Sequence, residues 1–219
     1  MLQCRTIIVA AVGLLYVALA PVRAADVSPN DTARFLAGMP PAADSPLAAL
    51  TKDPAWQQHA HAFDAAFGRV EQTQLAHIRA WSNDNLPTTR PTLFYFFSGP
   101  DFLYANAFYP KARTYLLAGL EPVRMLPDLT TIRGSLGGEL AHLRNSLRTL
   151  LSMSYFITRQ MGSDFWRGRL NGTLPVLYVF LARSGKTVRE VAPVRVDEAG
   201  VLQPDVDGPA RGEIGRAHV

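Results

Sequence analysis

Thr92-Leu-Phe-Tyr-Phe-Phe-Ser98, set between Pro91 and Gly99-Pro100, is the stretch on which the fold reading turns. An unbroken apolar and aromatic run of this length reads as a strand buried on both faces, because a strand with one wet face alternates polar and apolar residues. Asp101 then stands where it can cap a helix through Asn106 to Tyr109, which Pro110 halts. Arg113-Thr-Tyr-Leu-Leu-Ala118 reads as a second strand. Strand, short helix, strand predicts a parallel crossover, with a link of roughly fifteen residues that is near the minimum for such a connection.

Long helices flank this unit. Upstream, Asp53-Pro54 offers an N-cap followed by proline at the first helical position, where its missing N–H costs nothing. From there Trp56, Ala60, Phe63, Phe67, Val70, Ile78 and Trp81 recur at steps of three and four with one step of eight, an amphipathic helix ended by Ser82-Asn-Asp-Asn85 and Pro87. Downstream, Leu129, Ile132, Leu136, Leu140, Leu143, Leu147 and Leu150 repeat the spacing, and the glycines 134, 137 and 138 put the helix start near Leu136. A further turn is expected after Ser163 or Asp164. Leu174 to Ala182 reads as another apolar strand, Ser184-Gly185 as a turn, and Thr187 to Val196 as a strand whose Pro193 confines it to an edge or a bulge. The predicted class is α/β: a mixed sheet with a short β-α-β unit, packed by two long amphipathic helices within one domain over 53–212.

The chain's start predicts export. Arg5 precedes an apolar run from Ile7 to Ala20, and Pro21-Val-Arg-Ala24 forms a small-residue exit, the pattern of a signal peptide removed after residue 24. About fourteen apolar residues fall short of the roughly 20 that a spanning helix needs, so no membrane span is expected in the mature chain. Its only cysteine, Cys4, leaves with the leader. The fold is therefore expected to stand without disulfides in a periplasmic or secreted setting that would permit them. The formal charge of +4 falls by two with Arg5 and Arg23. No Lys/Arg run concentrates what remains, which argues against a nucleic-acid partner. Residues 25–52, rich in Pro, Ala, Asp and Ser, read as a loosely ordered lead-in with a short helical piece at Asp31 to Ala37 and another after Ser45-Pro46.

Phe97-Ser-Gly-Pro-Asp-Phe-Leu-Tyr-Ala105, Ala107-Phe-Tyr-Pro110 and Thr114-Tyr-Leu-Leu-Ala-Gly-Leu-Glu-Pro122 resemble a family of uncharacterised exported bacterial proteins. The likeness runs from Asp53-Pro-Ala-Trp56 to the turn at 183–185. It implies export, an α/β fold and a longer C-terminus, and carries no activity over to this chain. Glu213-Ile-Gly-Arg-Ala-His-Val219 resembles one translated frame of a sequencing adaptor, so the natural gene is expected to continue past about Gly212 with other residues.

The candidate site is the loop Ser98-Gly99-Pro100-Asp101, expected at the carboxyl end of a central strand, where open α/β sheets place ligands. Ser98 offers a nucleophile or donor, Asp101 a base or ligand orienter, and Tyr104 and Tyr109 polar-tipped walls. Glu121 and Arg124, after the second strand, can approach the same end. A plainer reading has Asp101 capping its helix and Gly99-Pro100 shaping a turn. Ser98 also lacks the Gly-x-Ser-x-Gly elbow of a hydrolase serine. His59-Ala-His61 with Asp64 suggests zinc by residue type, but two histidines two apart on a helix diverge by about 200°, so no metal is expected. Asn171-Gly-Thr173 matches a glycan acceptor, a motif common by chance. No phosphate loop or cysteine cluster appears, so no cofactor is expected. The sequence points to an exported envelope protein binding an unknown small molecule or envelope partner through Ser98–Asp101; the alternative is a periplasmic hydrolase using Ser98, Asp101 and Glu121.

Overall fold

The computed structural model describes residues 27–86, 88, 91–95, 101–117, 126–153, 168–170, 172–204 and 214–218. The leader, Ser98, Gly99, Glu121, Arg124 and the turn expected near Asp164 lie outside these residues. The described part is mostly helical, with small sheets giving it mixed α/β character. Its helices are α1 (Pro29–Leu36), α2 (Pro54–Val70), α3 (Ala76–Asn85), α4 (Phe102–Phe108), α5 (Leu136–Met153) and α6 (Thr173–Arg183). No described helix is long and apolar enough to cross a membrane.

As expected, α2 begins at Pro54 with the Asp53 carboxylate accepting from Ala55 N at 2.8 Å. It continues through a π turn (Glu71–Leu75) into α3. That turn explains the step of eight in the apolar spacing. A π turn closes i to i+5, so Val70 and Leu75 share the buried side, and the stripe restarts from Leu75 towards Ser82. Trp81, expected within the stripe, is consequently 51% exposed. The start of α5 at Leu136 matches the glycine-based expectation, and Leu136, Leu140, Leu143 and Leu147 are buried. At Gly137 a Cβ would come within 3.1 Å of the Ala55 Cβ, so α2 and α5 approach closely.

Three expectations need correction. Leu174 to Ala182 is helix, not strand: α6 is buried nearly all round, and a helix wet on no face carries no 3.6-residue period to betray it. Pro175 sits in its first turn, where proline is tolerated. The strand at 92–95 is real but not buried on both faces, since Phe94 is 61% exposed and its partner in register, Leu116, 41%. The strands also do not make one mixed sheet. β1 (Thr92–Tyr95) pairs parallel with β2 (Thr114–Leu117) through α4, giving the expected crossover, while β3 (Glu190–Val196) lies between β4 (Leu202–Pro204) and β5 (Ile214–His218) in a separate antiparallel sheet. β3 is thus the middle strand, not an edge. At Pro193 the described partner is Gly215 of β5, while the described part of β4 pairs with Val194 to Val196.

The lead-in, expected to be loosely ordered, supplies α1, and Phe35, Leu36 and Ala37 are fully buried. Side chains from two other helices hold its C-terminal carbonyls, which have no partner within the helix. Trp56 Nε1 donates to Phe35 O at 3.1 Å, His59 Nε2 to Leu36 O at 2.8 Å, and Arg183 Nε to Ala37 O at 2.9 Å. Beyond that end the chain turns at Gly38, whose φ of +67° and 2.7 Å Cβ-to-Ala60 Cα clearance admit no side chain.

Candidate functional site

Asp101 caps α4, as the plainer sequence reading has it. Its Oδ1 accepts from Tyr104 N at 3.1 Å, and the residue is 3% exposed. Burial pushes the carboxyl up to about 7, against the downward pull of the Tyr104 N–H bond. At neutral pH the group is therefore poised between carboxylate and acid.

The neighbouring tyrosines are held by separate partners. Tyr104 is buried on α4, and its hydroxyl donates to Gln74 Oε1 within the π turn. Such turns recur at functional sites because the extra residue redirects a side chain, here an amide carried towards α4. Tyr109 ends the helix, and its backbone carbonyl accepts from the Tyr115 hydroxyl on β2. Tyr115 in turn stacks edge-on with Phe102 at 4.9 Å, and Ser82 Oγ donates to Phe108 O. The β1–α4–β2 unit is thereby pinned to the end of α3. Of the sequence candidates, the structure brings Asp101 and Tyr104 together on one helical turn and places Tyr109 at the opposite end of α4.

A second constellation was missed. His59, passed over in the sequence in favour of Ala60 as the stripe residue, is fully buried on α2, whereas His61 is exposed. Leu36 O can only accept, so the His59 proton sits on Nε2 and leaves Nδ1 a bare acceptor without a partner. Burial, assisted by the charges of Arg144 and Arg183, lowers His59 to about 4. Arg144 Nη1 and Ser184 Oγ are likewise buried without a hydrogen-bond partner. Arg183 is engaged, by Ala37 O, by Asp64 at 2.7 Å and by the Phe67 ring at 5.1 Å. Among the described residues no cluster of His, Cys, Asp or Glu could hold a metal ion.

Glu139 is a further buried ionisable group. Its Oε2 accepts from Arg169 N at 2.6 Å and Leu170 N at 3.0 Å, anchoring the 168–170 segment on α5. Gly168, at φ +76°, has room for no Cβ, which would stand 2.7 Å from that oxygen. The sequence reading singled out neither the glycine nor the carboxylate it faces.

No family model, curated protein or solved structure matches the chain.

Proposed function

We propose that this chain is an exported envelope protein that acts by binding, with the 98–101 loop and the start of α4 as the edge that meets a small ligand or partner. Asp101 carries the reading. A carboxyl buried to this degree and pushed up to about 7 is costly to keep ionised. Groups perturbed in this way cluster at functional sites. The leader pattern at 1–24 and the resemblance of Phe97 to Ala105 to exported bacterial proteins support the compartment.

A hydrolytic reading with Ser98, Asp101 and Glu121 has one observation in its favour: a carboxyl near 7 suits a general acid or base at neutral pH. The cap bond on Oδ1 and the missing elbow around Ser98 weigh against it.

A thermal-shift screen of the mature chain against sugars, amino acids, short acyl chains and cell-wall fragments separates the two readings, because a ligand that binds only the folded state raises Tm. The binding reading expects a stabilising compound whose effect is lost in Asp101→Asn, a substitution that keeps the cap. An unchanged shift in Asp101→Asn and Ser98→Ala puts the ligand elsewhere. Ester or phosphate turnover that depends on Ser98 would favour the hydrolase.

A further inference from the structure

We draw no further inference here: the strongest candidate, the apolar outer face of the β1–β2 sheet at Phe94 and its register partner Leu116, rests on exposure alone, and nothing in the structure shows what covers it.

Discussion

Glu139 and His59 hold neighbouring backbone by opposite means, a carboxylate receiving two amides and a neutral imidazole giving one proton to a carbonyl. Removing the carboxylate in Glu139→Ala strands both amides, one of them on a buried residue, and should lower stability by about 2 to 4 kcal/mol in urea unfolding. A loss under about 0.5 kcal/mol would mean the 168–170 segment is held otherwise. His59 is expected to titrate near 4 when followed by NMR. Its folded value lies below its unfolded one, so the unfolded chain binds the extra proton and stability falls as pH drops from 6.5 towards 4. A midpoint near 6.5 would contradict its burial. The cap role of Asp101 was legible because Asp before a short apolar run is a strong local signal. The burial of His59 and Glu139 was not, because a polar residue on a helix shows its buried side only when the opposing helix is known.

Among the elements, α6 shows where pattern reading fails. Leu-Pro-Val-Leu-Tyr-Val-Phe-Leu-Ala carries the same apolar signature in a buried helix as in a buried strand, and only its eleven-residue length separates them. The two predictions of the helix differ sharply along its course. Val179→Pro should destabilise by about 3 kcal/mol or more, whereas Pro175→Ala should change stability by less than about 1 kcal/mol, since Pro175 lies in the first turn. Comparable effects at both positions, measured by thermal unfolding, would contradict the helix. The helices over 54–85 and 136–153 were legible because they are wet on one side, and the glycines and Pro54 marked their starts. Gly38 was less obvious. Gly38→Ala should cost more than about 1 kcal/mol, because an added Cβ meets Ala60 Cα in a left-handed conformation.

At the scale of the whole molecule, helices α1, α2, α5 and α6 share one apolar core, which the β1–α4–β2 unit joins through Phe102, Leu103, Tyr104 and Ala107. Nothing in the residue pattern arranges the strands into separate sheets, since pairing depends on backbone edges that any apolar run can offer. Joining that core buries the Asp101 carboxyl, and the molecule's stability should report it. The sign is the reverse of the usual aspartate: the folded value is raised from 3.8 to about 7, so the folded state holds the proton that the unfolded state has lost. Asp101 thus costs nothing below its unfolded value and progressively more as pH rises towards 7. Unfolding free energies of the wild type and Asp101→Asn, measured in parallel from pH 3.5 to 8, isolate this term because His59 contributes equally to both. The account predicts that the variant gains on the wild type as pH rises, by up to about 4 kcal/mol, and then levels off above about 7. A difference that stays constant across that range would contradict a buried, near-neutral carboxyl at the start of α4.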